Sequence, residues 1–223
     1  MNQKSMWVAS AVALVMMLMV SAWGWTQIPA GQEVPIHFDV NGNPDRYGSP
    51  FWALFTIPIS AAFTFGLIGL IPRIEPRQEN FQMSAKAYQA TWTALIVFMT
   101  LLHFILVFAT LGIFGGGTLG NYLPVMMGVL FIILGNYMGK VRSNFMFGIR
   151  TPWTLSSELS WNKTHRLGGW MMVAVGVATV VIGLFASMAW ALGIMIGGLL
   201  IMLVVTMVYS WMVYKQDPEV AGV

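Results

Sequence analysis

The chain has 223 residues; 57% are apolar and only 9% charged, against about 25% charged in an average soluble domain. Eleven Lys and Arg with eight Asp and Glu cannot supply a charged shell, so composition excludes a soluble domain, a nucleic-acid binder and a disordered tail. The absence of Cys excludes disulfides, thiolate nucleophiles and Cys metal sites.

A spanning helix needs about 20 mostly apolar residues. Six stretches free of Asp, Glu, Lys and Arg qualify: residues 6–25, 51–71, 88–114, 122–138, 167–185 and 190–213. The first is read as a retained helix, because its apolar core is long and Gly24-Trp25-Thr26-Gln27 is a poor cleavage site. With the N-terminus inside, Lys4, Arg73, Arg77, Lys86, Lys140, Arg142, Arg150, Lys163, Arg166 and Lys215 all fall on the cytoplasmic side, and only Arg46 falls outside. That asymmetry sets the orientation and puts both termini in the cytoplasm. The outer connections Gly115-Gly116-Gly117 and Ser187-Met188-Ala189 are short and uncharged. The predicted fold is an all-α integral membrane bundle of six transmembrane helices, with two polar segments: an outer loop at 26–49 and an inner loop at 139–166. Residues 1–71 form an N-terminal two-helix unit, and residues 72–223 a four-helix unit.

In the outer loop, Val34, Ile36, Phe38 and Val40 alternate with Pro35, His37, Asp39 and Asn41. This is the period-2 pattern of a strand with one buried face. Asn41-Gly42 follows, the strongest short hairpin-turn signal, and Pro44 restricts the return strand to an edge or irregular path. A small extracellular β-like hairpin over the helix ends is expected. Read as a calcium loop, the stretch from Asp39 lacks Gly at position six and Glu at position twelve. An Asx turn is the better reading. His37 is a pH-sensitive contact to Asp39 or Asp45, or simply the polar side of the strand.

His103 in the third span is an intramembrane candidate, since ionisable groups at that depth tend to be functional. No span offers it a charged partner, so a His hydrogen-bonded to a neighbouring helix is the preferred reading, and a proton-driven pump is disfavoured. The stretch from Arg73 to Lys86 mixes three basic and two acidic residues and reads as a solvated connector.

The inner loop carries the most information. Thr151 followed by Pro152 is a good helix start. A helix running from Pro152 into the fifth span places Trp153, Ser157, Trp161 and His165 on one stripe, and Glu158, Asn162 and His165 near one another. Arg150 stands before the helix N-terminus, where free N–H groups favour an anion. Asn136 at the inner end of the fourth span is grouped with this loop. Three readings compete: a folded lid that binds a ligand or partner, a plain headgroup anchor, and an acid–base or metal site from Glu158 and His165. The last has too few ligands. Gly148 and the ordered mixture of Asn, Thr and His favour the lid. No nucleotide-binding Gly loop, His-Glu-x-x-His or Ser nucleophile elbow is present. In the last spans Gly193 and Gly197 form Gly-x-x-x-Gly, which suits packing of the bundle or a homo-oligomer.

Residues 135–169, above all Gly148-Ile149-Arg150-Thr151-Pro152-Trp153-Thr154-Leu155 and Trp161-Asn162-Lys163-Thr164-His165-Arg166, resemble the signature of the SdpI family. The outer stretch from Ile28-Pro29 through Val34-Pro35-Ile36-His37-Phe38-Asp39 to Asn41-Gly42-Asn43-Pro44-Asp45, with Tyr47-Gly48, is similar to the small uncharacterised domain that often precedes it. The resemblance implies a multi-pass bacterial inner-membrane protein without enzymatic activity or cofactor. The family's founding member confers immunity to a secreted membrane-active peptide toxin. It also signals by holding a small repressor at the membrane. The expected partners are therefore membrane lipids, a secreted toxin peptide and a cytoplasmic repressor, with no direct nucleic-acid contact. The candidate site is the inner loop: Asn136, Asn144, Gly148, Arg150, Thr151, Pro152, Trp153, Glu158, Trp161, Thr164, His165 and Arg166. Pro35, His37, Asp39, Asn41 and Gly42 stand as extracellular-loop candidates, and no metal site is expected. The rival reading is a transporter or lipid- or solute-binding protein that uses the Arg/Trp loop as an anion site.

Overall fold

The computed structural model describes residues 3–114 and 118–221; the expected outer connection at 115–117 lies outside them. Helix α1 (Gln3–Gln27) leads into a hairpin of β1 (Val34–Phe38) and β2 (Pro44–Gly48), then α2 (Pro50–Ile74), the short α3 (Gln78–Met83), α4 (Ala85–Thr110) and α5 (Thr118–Met138). An irregular segment at 139–151 precedes α6 (Pro152–Ser156), α7 (Glu158–Phe185), α8 (Met188–Tyr214) and the short α9 (Pro218–Ala221).

Among the described residues, α1, α2, α4, α7 and α8 are long and apolar enough to cross a membrane, while α5 offers the shorter apolar stretch Tyr122–Met138. All six expected helices are therefore present, with the fourth the shortest. Every helix must satisfy its backbone internally in a bilayer, which is why the breaks fall outside the apolar stretches. The hairpin caps one end of the bundle. The other, basic end carries α3, the 139–151 segment, α6 and α9.

Helices α1, α2 and α4 share one core, built from Met6, Ala13, Met17, Ala61, Phe65, Tyr88 and Trp92. Trp92 meets Trp7 and Tyr88 edge to face at 5.3 and 5.6 Å. Its indole Nε1 donates to the Ser10 hydroxyl at 2.9 Å, so the buried ring leaves no donor unpaired.

The α5–α7 pair is held differently. A Cβ placed on Gly128 would lie 2.6 Å from the Gly176 carbonyl oxygen, and one on Gly135 would lie 2.7 Å from that of Gly169. The reverse contacts are as short, and a Cβ on Gly183 would meet Pro124 at 2.8 Å. Glycines seven residues apart on antiparallel helices thus bring two backbones together, in a setting where close packing, not water exclusion, drives association. The expected Gly193–Gly197 motif does not share in this. Both glycines face open space in the described chain, while neighbouring Gly198 packs on Val175. The motif is on the outer surface of α8, where its spacing alone could not reveal that no helix covers it.

Candidate functional site

The inner loop folds as a polar cap on the basic end. Its centre is Asn144, fully buried. The amide Nδ2 donates to the Arg142 carbonyl at 2.9 Å, and Oδ1 accepts from the Met146 and Phe147 N–H groups at 2.9 and 2.8 Å. One side chain therefore satisfies three backbone groups that no helix or sheet serves, as buried backbone requires. Gly148 follows with φ +113°. A Cβ there would lie 2.4 Å from His165 Nε2, so both conformation and space demand glycine.

That contact matters because His165 Nε2 accepts the Ile149 N–H at 2.9 Å. An amide can only donate, so the ring proton sits on Nδ1, which donates to the Trp161 carbonyl at 2.9 Å. His165 stacks on Trp161 with centroids 4.0 Å apart. Trp161 is itself fully buried and donates from Nε1 to the Val141 carbonyl at 2.8 Å. The two rings of α7 thus pin both ends of the 141–149 segment.

The cap continues through Thr151 and Thr154, which form a reciprocal capping box at the start of α6. Thr154 also donates to the Ile149 carbonyl at 2.9 Å. Helix α8 closes the far side. The Thr151 and Ser210 hydroxyls lie 3.0 Å apart, Ser160 donates to the Ser210 carbonyl at 2.8 Å, and the Ser157 hydroxyl donates to the buried carboxylate of Asp217.

The remaining tie is one that composition had disguised. The 73–86 stretch is no solvated connector. Glu75 is buried, and its carboxylate accepts the Arg77 N–H at 2.9 Å and the Phe145 N–H at 3.0 Å. Arg77 donates to the Ser143 hydroxyl and, at 3.1 Å, to the Leu155 carbonyl, with its guanidinium 4.6 Å over the Phe145 ring. Asn80 donates to the Ser143 carbonyl at 2.9 Å, and the Ser84 hydroxyl accepts the Arg142 N–H at 2.8 Å. The connector clasps the cap to the α1–α2–α4 core. Glu75, Arg77, Asn80 and Ser84 were missed because their partners lie about sixty to eighty residues away. The one local hint is a lone carboxylate before Pro76 at the end of a span.

Other expectations change. The helix from Pro152 does not run on: Ser157 has extended backbone, ends α6 and caps α7. Trp153, half-buried on α6, is therefore off the stripe of Ser157, Trp161 and His165, which are all buried. Glu158 and Asn162 are exposed, and both His165 nitrogens are committed to backbone, so the Glu158–Asn162–His165 group is not assembled. Arg150 is exposed and donates to the Phe145 carbonyl at 2.5 Å. Beside it, the Thr154 N–H is already taken by Thr151 at 3.1 Å. The Thr151 hydroxyl thus serves one of the N–H groups at that helix start. Pro152 and Arg166 are exposed, and Thr164 is fully buried with its hydroxyl unpartnered among the described residues. Asn136 is exposed and borders a crevice with Lys140 and Arg166.

At the other end, the hairpin is antiparallel with an irregular register. Asp39 Oδ1 accepts the Asn41 and Asn43 N–H groups, both at 2.8 Å, and Gly42 takes φ +80°. This is the Asx turn, and the donation from the Asn43 backbone holds the Asp39 carboxyl below its ordinary range. His37 Nδ1 pairs with Asp45 at 2.6 Å. The alternating pattern overstated burial: Val34 is buried and Phe38 half-buried, but Ile36 and Val40 are exposed. Pro35 supplies its carbonyl to Thr110 at 3.5 Å.

His103 is fully buried in the α1–α2–α4 core. Nε2 lies 3.0 Å from the Met17 carbonyl and 3.1 Å from the Ser21 hydroxyl, which itself donates to the Leu54 carbonyl at 2.7 Å. Three helices are joined through this one ring, as the interhelical reading expects. Among the described residues Nδ1 has no partner.

With this geometry in view, two family models match: the SdpI/YfhL protein family over residues 140–210, and a domain of unknown function, DUF1648, over residues 12–61. Over 187 residues the chain is 30% identical to the immunity protein SdpI of Bacillus subtilis (strain 168), covering 83% of this chain and 85% of that protein. The chain belongs to the SdpI family. It is a membrane protein, with the apolar helices that membership requires. The SdpI match begins at Lys140, so it takes in the cap, α7 and most of α8. The DUF1648 match covers most of α1, the hairpin and the start of α2. No solved structure matches the chain.

Proposed function

We propose that this chain is a non-enzymatic immunity protein of the bacterial inner membrane that protects against a membrane-active peptide toxin and reports its presence through the cap. The observation behind the proposal is the kinship with the immunity protein SdpI across both the spans and the polar cap. The excess of Lys and Arg at the capped end supports a cytoplasmic position for it and for both termini. The two family matches fall on either side of residue 71, which supports a division into residues 1–71 and 72–223.

The cap suits a reporter. It is tied to α2 and α4 by the 75–84 clasp, to α7 by Trp161 and His165, and to α8 by Ser210 and Asp217. A shift of any of these helices strains hydrogen bonds in a buried polar network, where an unmade bond is costly. Arg150 remains on its exposed face and would meet an acidic surface of a regulator.

The test is protection. The protein is expressed in a sensitive bacterium, challenged with membrane-active peptides, and membrane potential is followed. Maintained potential with the intact protein, lost in Arg150→Ala and Trp153→Ala at equal membrane levels, supports the proposal. No protection at verified membrane expression refutes immunity for this chain, and full protection by both variants removes the cap from the mechanism.

A further inference from the structure

The α5–α7 seam leaves an opening at the basic end that the cap does not use. There, a crevice of about 380 Å³ is lined by Asn136, Lys140, Arg166, Trp170 and Val173. Its floor is bare because Gly135, Gly139 and Gly169 carry no side chain; a Cβ on Gly139 would sit 3.6 Å from the Arg166 Cα. The same packing that draws the helices together therefore sets Lys140 and Arg166 on the two lips of one cleft.

Among the described residues neither cation has a carboxylate partner. The one ion pair among the described residues is His37–Asp45, at the opposite end. The Lys140 ammonium rests 4.5 Å over the Tyr137 ring, and Arg166 is exposed. Two uncompensated charges beside an amide make a site for a phosphate, with Arg as the planar donor and Lys as the point charge.

The crevice also has a continuation. Trp170 and Val173 form part of a second, open trough of about 670 Å³, whose other walls are Ala174, Val177, Val181 and Ile182 on α7 and Ile194 on α8. From Trp170 to Ile182 is twelve residues, or about 18 Å at the helical rise. One leaflet of tails occupies about half of a ~30 Å hydrocarbon core. The trough thus has the depth of an acyl chain, and a spanning peptide would need twice as much. Trp170, 70% exposed, marks the rim, where indoles favour the headgroup level.

We propose that crevice and trough are a single binding site for an anionic phospholipid. Lys140 and Arg166 hold its phosphate, Asn136 donates a hydrogen bond to the headgroup, and a tail lies along Val173, Val177 and Val181. Basic clefts between spanning helices are suited to such headgroups. The site is independent of the immunity reading.

Native mass spectrometry of the full chain, released from detergent micelles holding equal phosphatidylglycerol and phosphatidylcholine, tests this. Phosphatidylglycerol should be retained preferentially, and its affinity should fall about fivefold with each cation removed in Lys140→Ala and Arg166→Ala. Ala178 also lines the trough, and Ala178→Trp, which fills it and leaves both cations in place, should also lower retention. Lys163→Ala, which removes a charge outside the crevice, should not. Equal retention of the two lipids, an equal loss in Lys163→Ala, or unchanged preference in the double Lys140/Arg166 variant overturns the site. Displacement of the lipid by excess glycerol 3-phosphate reassigns the crevice to a soluble phosphate and overturns the lipid.

Discussion

The two polar segments of this protein look alike as sequences and differ as structures. Both are patterned, and each holds a conspicuous turn or helix-start signal, Asn–Gly in one and Thr–Pro in the other. The hairpin at 34–48 is organised by its own residues. Asp39 caps its own turn, His37 pairs with Asp45 eight residues on, and most of its side chains are exposed. The cap at 139–157 is organised by others. Glu75, Arg77, Trp161, His165, Ser210 and Asp217 reach it from the connector after α2, from α7, from α8 and from just beyond α8. The difference is one of depth. An exposed loop has water to satisfy its backbone, whereas a buried one must find a protein partner for each group.

The sharpest way to break the contrast is at Gly148. Gly148→Val adds backbone strain at φ +113° and drives a Cβ into His165. It should destabilise the protein by about 3 kcal/mol or more, seen as a lower Tm in detergent and lost hydrogen-exchange protection at Ile149. Next, Asn144→Ala removes three backbone hydrogen bonds from a fully buried position. A loss of about 2–3 kcal/mol is expected, and protection confined to wild-type values at Met146 and Phe147 would disprove the role. Arg77→Ala opens the clasp at a cost of about 1–2 kcal/mol. Limited trypsin digestion should then cut after Arg142 and Arg150 before the helices unfold.

The hairpin should respond weakly and alone. Gly42→Val, at φ +80°, costs about 1 kcal/mol locally, readable as faster exchange at Asp39 and Asn43 with the cap unchanged. The smallest effect is on pH. The Asp39 carboxyl is held below its ordinary value of 3.8 by the backbone N–H groups it accepts. Its contribution is therefore complete above that value and is lost as pH falls through the lowered one. Exchange at Asn41 and Asn43 should quicken only below about pH 3.8, and Asp39→Asn should remove the dependence. A cap that loosened in step with the hairpin in these experiments would mean that the two ends are coupled.

Much of the fold was legible because it depends on neighbours in sequence. Uninterrupted apolar runs gave six helices, Asn41-Gly42 gave the turn, and Thr151-Pro152 gave the start of α6. Ser157 was misread as part of one continuous helix. A Ser at that position is equally good inside a polar helix face or as a cap; its extended backbone and the Ser160 N–H that its hydroxyl accepts at 2.9 Å show which holds. The alternating apolar residues of β1 were likewise real, yet only Val34 among them is fully buried.

For the site, the sequence by itself determined residue chemistry and local spacing: a glycine at 148, Trp161 and His165 four residues apart, and basic residues gathered at one end. Tertiary structure alone decided partners. It placed the Glu75 carboxylate on the Phe145 amide, fixed the His165 proton on Nδ1, and packed the seven-spaced glycines of α5 and α7 while leaving Gly193 and Gly197 uncovered. The reason is physical. Helical periodicity and capping are set within a few residues by backbone geometry, whereas a buried polar group is satisfied by whatever packing brings beside it, and no local pattern encodes a neighbour seventy residues away.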